Sequence, residues 1–368
     1  MATICLVMIV KNEEELIARS LSSALPFVDT FCIVDTGSTD STISKIQETA
    51  QIFGVNGEIH ERPWVNFGHN RSEVLKLAHD MTPRPTWCLT LDADDILHMP
   101  PREELSILQA PFVQGLYMNI VRGSLSYKRI TLFNTKDNWY YVGAVHEYPK
   151  CPGYDESKLF SLPDSAWVDA RCEGARSKDP LKYKKDAELL EAECEKDPYN
   201  TRAIFYAAQS YRDANIYDKS RAFYQKCTES MGWIQERYIA YVNLIRLTES
   251  IEEKYRLAWK AADLCPSRAE AAHEVLKATR EKNLWSLQAY ALGSIAKNNM
   301  DKDDKKNMLF VEKDVYTYKF NDEFSIHCYY LGYDQESSSA AFKALEQAPP
   351  AEEVRIRVNY EFALKRVN

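Results

Sequence analysis

The pattern of apolar residues changes near residue 175, and this change limits the fold more than any other feature. Before it, short runs of β-branched and aromatic residues alternate with segments of helical periodicity. After residue 180, strand signals almost vanish. The chain therefore predicts an α/β domain followed by an all-α region. The runs that predict strands are 3–10, 31–35, 57–62, 87–91, 114–121 and 127–133.

Helical segments fall between the predicted strands. Residues 14–23 and 40–53 carry apolar residues at helical spacing, and good N-cap residues fill positions 38–41. This βαβα order predicts a mostly parallel sheet with helices on both faces. Ligands of such sheets bind beyond the carboxyl ends of the strands. Three polar clusters occupy such ends, and we expect them to converge on one crevice: residues 11–13, 35–38 and 92–95.

The all-α region contains an internal repeat. Asp197-Pro198 recurs as Cys265-Pro266 after two periods of about 34 residues, the tetratricopeptide period. In the repeat that begins at Thr201, small and aromatic residues keep that register. A second repeat from Tyr238 follows it more loosely, and a third, degenerate unit covers roughly 269–302. Residues 303–368 predict further helices at 324–333, 337–347 and 351–366. We predict domains at 1–175, 176–302 and 303–368, with the last packed on the repeats.

Composition narrows the classes of partner. A formal net charge of −8 and the lack of a basic run argue against nucleic-acid binding. No apolar stretch is long enough to span a bilayer, and the opening apolar segment predicts a buried strand rather than a signal peptide. The nine cysteines lack paired or metal-type spacing. We therefore expect reduced thiols, no transmembrane segment and a cytoplasmic location.

An acidic cluster follows the apolar run 87–91. Asp92, Asp94 and Asp95 place three hydrated charges at the edge of a core, which costs stability unless a cation sits there. Magnesium and manganese prefer such oxygen ligands, and they commonly bridge carboxylates to a substrate diphosphate. A polar turn after a strand is the alternative interpretation.

The ordered motifs resemble those of family-2 glycosyltransferases. They are Met8-Ile9-Val10-Lys11-Asn12-Glu13, Ile33 to Asp40, and Leu91-Asp92-Ala93-Asp94-Asp95. A subgroup is also similar at Asn66-Phe67-Gly68 with Asn70-Arg71, at Tyr141 to Glu147, and in a helical repeat extension. The resemblance implies the GT-A nucleotide-sugar fold and an inverting reaction. One departure is the segment 167–176, which lacks the His that often precedes a Gly-rich loop there and leaves that loop's role open.

Residue roles follow from this resemblance together with the residue types. Asp35 is expected to accept the uracil imide N–H, or else to cap the next helix. Arg71 suits the nucleotide or the acidic cluster, or else pairs with Glu73. The resemblance assigns Asp92 to the ribose and Asp94 to the metal. The full expected sets are Val10, Lys11, Glu13, Asp35, Arg71, Asp92 and Ala93 for the nucleotide sugar, Asp94 and His146 for the metal, and Glu147 and Asp95 for catalysis.

The implied reaction is a single displacement at the anomeric carbon. A carboxylate takes the acceptor proton, and Glu147 is the first candidate for this base and Asp95 the second. A divalent manganese or magnesium ion stabilises the leaving nucleoside diphosphate. The expected donor is a UDP-hexose and the acceptor a glycan or protein. The alternatives are a tetratricopeptide adaptor with an inert first domain and a sugar-phosphate nucleotidyltransferase. The repeats themselves are open to acceptor recruitment, a protein partner, self-association or simple bracing.

Overall fold

A computed structural model of the protein describes residues 2–123, 125–171, 173–303 and 308–367. The chain forms two compact units, Met1–Lys185 and Asp186–Asn368. The first unit therefore ends later than the domain boundary proposed at residue 175. The further division of the helical region at residue 302 stays a proposal.

The first unit contains eleven strands within the described residues. All six predicted strands are present, and five short ones have no counterpart in the prediction. The strands are β1 (Ile4–Val10), β2 (Thr30–Asp35), β3 (Gly57–Glu61), β4 (Trp87–Thr90), β5 (Ile96–His98), β6 (Gly115–Arg122), β7 (Leu125–Asn134), β8 (Tyr140–Val142), β9 (Tyr148–Lys150), β10 (Leu159–Ser161) and β11 (Trp167–Asp169).

These strands form one mixed sheet and one small hairpin. The order in the sheet is β3-β2-β1-β4-β7-β6-β11-β5, with β10 also paired to β6, and β8 pairs with β9 separately. The neighbours β3, β2, β1 and β4 are parallel, whereas β7 is antiparallel to both β4 and β6. The carboxyl ends of β1, β2 and β4 consequently lie along one edge, as the βαβα order predicts.

Helices cover both faces of this sheet. They are α1 (Ile17–Ala24), α2 (Thr42–Phe53) and α3 (Phe67–Asp80). Leu21 of α1 and Ile46 of α2 belong to the core on one face, and Val74 and Ala78 of α3 belong to the core on the other. The first unit is therefore an α/β domain with helices on both faces of its sheet, as the sequence predicts, although α3 itself carries only a weak apolar periodicity in the sequence.

The second unit consists of helices. After α4 (Lys182–Lys196), which crosses the boundary between the units, they are α5 (Thr201–Asp213), α6 (Tyr217–Glu229), α7 (Ile234–Arg246), α8 (Ile251–Leu264), α9 (Glu270–Glu281), α10 (Leu287–Asn299), α11 (Phe320–Leu331), α12 (Asp334–Glu346) and α13 (Pro350–Val367). Consecutive helices from α5 to α10 pack as hairpins, and α5, α7 and α9 also contact one another in turn. This stacking is typical of tetratricopeptide repeats and confirms the predicted fold class.

A buried polar network lies inside the second unit. Arg268 makes a bidentate ion pair with Glu270, at 2.8 and 3.2 Å, and both side chains are almost wholly buried. The hydroxyl groups of Tyr238 and Tyr316 donate to Glu270 Oε2 at 3.3 and 2.8 Å. Gln235 accepts a further hydrogen bond from Arg268 at 2.7 Å. Buried charges are tolerated when their hydrogen bonds are satisfied in this way.

Crossing a membrane requires a helix of about 20 mostly apolar residues. In the ranges that the structure describes, none is both long and apolar enough for this. The eight described cysteines are free thiols, and all of them except Cys194 are buried.

Candidate active site

The first two polar clusters are joined by hydrogen bonds beyond the ends of β1 and β2. The amide of Asn12 donates to Ser38 Oγ at 2.9 Å, and the amide of Glu13 donates to Thr42 Oγ1 at 2.8 Å. In return, Asn12 Oδ1 accepts from the amide of Thr39 at 2.8 Å. The convergence that the strand-end pattern predicts is therefore present for these two clusters.

Helix α3 brings a cation to the third cluster. Asn66 caps this helix by accepting from the amide of His69 at 2.8 Å. Gly68 packs directly against the backbone of Gly143, and a side chain at Gly68 would overlap the Gly143 carbonyl oxygen. The two motifs around Asn66 and Gly143 thus fit together, and this contact fixes the first turn of α3 from which Arg71 projects.

Arg71 joins the acidic cluster to the segment that follows β8. Its guanidinium donates to Asp92 Oδ1 at 2.5 Å, and its Nε lies 2.8 Å from Glu147 Oε1 without hydrogen-bond geometry. The side chains of Arg71 and Glu147 are each 14% exposed, whereas that of Asp92 is 31% exposed. Arg71 does not pair with Glu73, which instead accepts from Arg62 at 3.0 Å.

A second arginine, which is absent from the residues expected from the sequence, contacts the same carboxylate. Arg129 Nη1 lies 3.6 Å from Asp92 Oδ2. Continuing the antiparallel register Leu89↔Leu132 places Arg129 opposite Asp92, so the pairing of β4 with β7 is the signal that identifies it. Burial acts to raise the pKa of Asp92, but the charges of Arg71 and Arg129 outweigh it and lower this pKa to about 2. Asp92 is therefore an ionised, paired carboxylate.

Asp94 is held by the segment after β11, whose role the sequence left open. The amide of Gly174 donates to Asp94 Oδ2 at 2.9 Å, and the amide of Ala175 donates to Glu13 Oε1 at 3.0 Å. Arg19 adds hydrogen bonds to the backbone oxygen of Asp94 at 3.0 Å and to Glu173 at 2.7 Å. This segment therefore connects the first polar cluster with the third.

Glu13 and Asp95 have raised pKa values. Burial raises the pKa of Glu13 to about 6, with a contribution from Asp94, although the Ala175 amide opposes the change. Burial also raises the pKa of Asp95, and the charge of Asp92 adds to the effect. Asp95 is only 4% exposed. Carboxylates with raised pKa values are frequent in functional clefts, so the electrostatics agree with a site at this edge.

Asp35 uses its carboxylate inside its own turn. Oδ2 accepts from the amides of Gly37 and Ser38 at 3.0 and 2.9 Å, and Oδ1 accepts from Ser38 Oγ at 2.5 Å. An ionised carboxylate has about four acceptor positions, so one position remains for a ligand donor. Asp35 does not cap helix α2: the N-cap residue is Ser41, which makes no side-chain cap hydrogen bond, and the amide of Thr42 donates to Asp40 Oδ1 at 3.0 Å. The role of Asp35 toward a base stays a prediction.

The remaining expected residues differ in exposure. Val10 and Ala93 are buried, at 3% and 7%, and Lys11 is exposed. His146 is also exposed and has a left-handed backbone with φ of 55°. Only a few per cent of non-glycine residues adopt this conformation, which makes the turn before Glu147 a specific one.

A divalent metal needs several oxygen ligands in one place. Among the described residues, no group of three or more His, Cys, Asp or Glu side chains is arranged to hold one. Asp94 uses Oδ2 for its hydrogen bond to Gly174, and no hydrogen bond to Oδ1 is found within the described ranges. One carboxylate oxygen completed by substrate phosphates and waters suits magnesium or manganese. The residues present fit such an ion only together with a phosphate-bearing ligand.

The first unit also contains a cavity of about 410 Å³, but at a different place. It lies between α3 and the segment from Phe133 to Tyr140, and its lining includes Leu75, Cys88 and Trp139. None of the acidic residues 92–95 lines it. The cavity is mainly apolar, although Lys76, His79, Asp80 and Asp137 also line it, and it is separate from the acidic cluster.

Comparison with known proteins gives a family for the first unit. Residues 5–157 match the family model described as "Glycosyl transferase family 2". An uncharacterized glycosyltransferase of Rickettsia felis is 27% identical over 110 residues, which is 30% of this chain and 35% of the relative. A TPR repeat-containing protein of Synechococcus elongatus is 30% identical over 155 residues, covering 40% of this chain and 35% of the relative.

Solved structures give more distant likenesses. The S. aureus protein TarS, residues 1–349 in complex with UDP, has a TM-score of 0.38 at 15% identity and covers 77% of this chain and 92% of that one. A TPR protein of Thermus thermophilus has a TM-score of 0.30 at 18% identity, covering 50% and 91%. The matched part spans about a third of the length of the curated relatives, at 35% of each.

Proposed function

We propose that this chain, whose residues 5–157 are a family 2 glycosyltransferase domain, transfers a hexose from a UDP-sugar to a glycan or protein acceptor with inversion at the anomeric carbon. The observation that carries the proposal is the junction of Asp92, Arg71 and Glu147 at the strand ends. It brings two carboxylates and a cation together at the strand end that leads to Asp94, where a nucleotide diphosphate and its counter-ion would bind.

The donor side of the proposal assigns the nucleotide to the first two clusters. Asp35 has one acceptor position left for a uracil N–H, and the turn at Val10 and Lys11 borders it because Val10 pairs with Asp35 in the sheet. Asp92 faces the ribose with Glu13, and its two arginine partners keep it ionised. The small side chain of Ala93 lets the nucleotide approach the backbone closely. Arg71 and Arg129 add positive charge on the side where the diphosphate lies.

The metal side assigns Asp94 as the protein ligand and His146 as a second contact. When bound, manganese or magnesium neutralises charge that develops on the departing diphosphate. The chain's own part is to hold Asp94 in place through the amide of Gly174 and to anchor the segment through Arg19.

The base is proposed to be Glu147. Its side chain is 14% exposed and its Oε1 lies 2.8 Å from Arg71 Nε, which leaves Oε2 to reach an acceptor hydroxyl. Asp95 is the alternative base, but at 4% exposure it is poorly placed for a bulky acceptor. The identity of the acceptor depends on loops and on the helical unit. We propose that the helical unit recruits the acceptor.

The test uses the full chain and a panel of nucleotide sugars in a thermal-shift assay, with and without manganese. We expect one UDP-hexose to raise the unfolding temperature, and to do so only when the metal is present. At a ligand concentration of about 100 times Kd the native state gains about 2.7 kcal/mol. Slow metal-dependent hydrolysis of the same donor should accompany binding.

The matched variants are Asp92→Asn and Glu103→Gln. Asp92→Asn should lose the donor-induced shift, whereas Glu103 is exposed on a separate 3₁₀ turn and its variant should behave as wild type. A chain that no nucleotide diphosphate stabilises and that hydrolyses no donor would contradict the proposal. That result would favour the adaptor interpretation, since a pure adaptor has no hydrolytic activity.

A further inference from the structure

A segment between α10 and α11 lies against three earlier helices, α5, α7 and α9. It comprises residues 308–312, which belong to no helix or strand, and we call it the covering segment. The ring of Phe310 stacks on that of Phe205 in α5, with the ring centroids 6.4 Å apart. Phe205 is wholly buried, whereas Phe310 is 51% exposed. The covering segment is therefore one of the parts of the chain that cover Phe205.

Two polar contacts attach the covering segment to the other two helices. Glu312 pairs with Arg246 of α7 at 2.6 Å. Arg268, which immediately precedes α9, donates to the carbonyl oxygen of Leu309 at 2.8 Å. Helices α5, α7 and α9 contact one another in turn, and stacked repeats bind partners on such extended surfaces. The covering segment thus lies where a repeat domain is able to hold a partner.

Both cations keep other partners if the covering segment leaves. Arg246 also pairs with Glu274 at 2.7 Å, and Arg268 keeps its bidentate pair with Glu270. Departure therefore leaves no buried charge unpaired, which would be costly. Phe205 differs, because its ring would lose apolar cover. Whatever replaces the covering segment must consequently bring an aromatic or large apolar side chain to Phe205.

The covering segment is also held in an uncommon conformation. Phe310 has φ of 49°, in the left-handed region that few residues other than glycine adopt. Such a conformation persists only while the surrounding contacts hold it. The ion pair of Glu312 is one of those contacts, and at 43% exposure of the glutamate it stabilises little. The covering segment is therefore held less firmly than the helices beneath it.

We propose that the covering segment occupies a peptide-binding surface of this chain, and that a partner polypeptide of the same chemistry displaces it. The surface consists of Phe205, Arg246 and Arg268. The partner presents an extended segment with an aromatic residue and, two positions later, a carboxylate, as Phe310 and Glu312 do. The carbonyl group that precedes its aromatic residue accepts from Arg268. This inference goes beyond the proposed sugar transfer and does not rest on it, since peptide binding needs no nucleotide sugar.

The covering segment and the partner compete for the same contacts, so the free chain binds the partner weakly. The apparent affinity is reduced by the fraction of chains whose surface is open. Removing the side-chain contacts of the covering segment should raise this fraction and tighten partner binding. If Phe310 and Glu312 only supported the fold, their removal would not tighten the binding of anything.

The experiment measures binding of a fluorescent peptide that copies residues 308–314 to the full chain, by anisotropy and without any nucleotide sugar. The released variant carries Phe310→Ala and Glu312→Gln. We expect it to bind the peptide at least about tenfold more tightly than the wild type, because its surface is open more often.

Substituted peptides test the contacts without changing the chain. A peptide with alanine in place of its phenylalanine should bind the released variant at least about tenfold more weakly, because Phe205 loses its aromatic partner. A peptide with glutamine in place of its glutamate should bind about threefold more weakly, as expected for an exposed ion pair. This second loss should vanish when Arg246→Gln is added to the released variant, since the two groups form one interaction.

The matched control carries Phe342→Ala and Glu346→Gln. These are the same replacements at exposed positions of α12, and the control should bind the peptide as the wild type does. Circular dichroism checks that every variant is folded. Equal peptide affinity in the released variant and the wild type overturns the proposal, and so does a released variant that binds no peptide at the highest concentration. An alanine peptide that binds as tightly as the original overturns the role of Phe205.

Discussion

The two units each bury an arginine with carboxylates, but they balance the charges differently. In the helical unit, one arginine meets one glutamate, and two tyrosine hydroxyls and a glutamine complete the hydrogen bonds of Arg268 and Glu270. In the α/β unit, Arg71 and Arg129 share Asp92, while Asp94 and Asp95 stand beside them within one turn of chain. The first network is complete in itself, and the second has negative charge left over.

We interpret this as the difference between a structural network and the proposed functional one. A satisfied buried pair holds neighbouring helices in one arrangement, and removing a member leaves an uncompensated charge. An unbalanced acidic cluster costs stability in the free protein and gains it when a cation and a phosphate arrive. Variants in the α/β unit should therefore reduce turnover with little loss of stability, and variants in the helical unit should do the reverse.

The strongest test of the functional side is Asp94→Ala. We expect transfer to fall by at least about a thousandfold, because the proposed protein ligand for the leaving-group cation is lost. The unfolding temperature should stay the same or rise, since the variant removes a charge next to Asp95. Turnover is measured at saturating donor, with Glu103→Ala as the control. Wild-type turnover in Asp94→Ala would remove the metal assignment.

The strongest test of the structural side is Glu270→Gln. The free energy of unfolding of the helical unit should fall by about 3–5 kcal/mol, because Arg268 is left buried without its partner. Donor-induced stabilisation of the α/β unit should persist. Denaturant unfolding measures the change.

Glu253→Gln is the control for that experiment. Glu253 pairs with Arg256 on the surface, at side-chain exposures of 38% and 54%, so its loss should change stability by less than about 1 kcal/mol. Equal losses from the buried and the exposed pair would contradict the interpretation of the Arg268 network.

The helical unit should also respond to acid through His273. Burial lowers its pKa from 6.5 to about 4, with Lys277, Arg246 and Lys319 adding to the effect and Glu274 opposing it. The unfolded state therefore binds the proton more tightly. Stability is full above pH 6.5 and decreases as the pH falls toward 4, by about 3 kcal/mol at 1.36 kcal/mol per pKa unit.

His273→Gln is the variant that isolates this group. Its unfolding free energy should decrease less between pH 6.5 and 4 than that of the wild type. Part of the slope should remain, because burial also lowers the pKa of His327. Identical pH slopes in the variant and the wild type would show that His273 does not contribute.

The variants Glu147→Gln and Asp95→Asn distinguish between the two candidate catalytic bases. Glu147→Gln should bind the donor normally and transfer about a hundredfold more slowly, because the acceptor proton has no base. Its stability should change little, since glutamine still reaches Arg71. If Glu147→Gln transfers normally and Asp95→Asn does not, the base is Asp95.

The smallest expected effect belongs to Gly68→Ala. This variant should change both stability and turnover, because it affects packing and the position of Arg71 in the same unit. A methyl group there overlaps the Gly143 carbonyl oxygen, so α3 must shift, at a cost of about 1–3 kcal/mol. Turnover should fall as well, because Arg71 moves with the helix.

Gly54→Ala is the matched control for that variant. Gly54 has φ of 65°, and a Cβ added there would meet no atom within 4 Å, so alanine should cost about 1 kcal/mol and leave turnover unchanged. Full activity in Gly68→Ala would show that the position of Arg71 does not depend on this packing contact.

Local pattern predicted the strands and the helical repeats well, because alternation and helical spacing report directly on burial. The short strands β5 and β8 to β11 were missed, since three residues carry too little pattern. Arg129 was missed because it lies on β7, and its proximity to Asp92 exists only through the antiparallel pairing with β4. The segment at Gly174 was left without a role because its contribution comes from backbone amides, which every residue type supplies.

The sequence by itself determined that an α/β domain precedes a helical repeat, and that acidic residues follow a buried strand. Periodicity and residue type are local properties, and they decide such features before any long-range contact forms. Only the tertiary structure decided that Asp92 is paired twice while Asp94 is held by an amide. Those differences arise from packing between distant segments, which fixes the distances on which charge interactions depend.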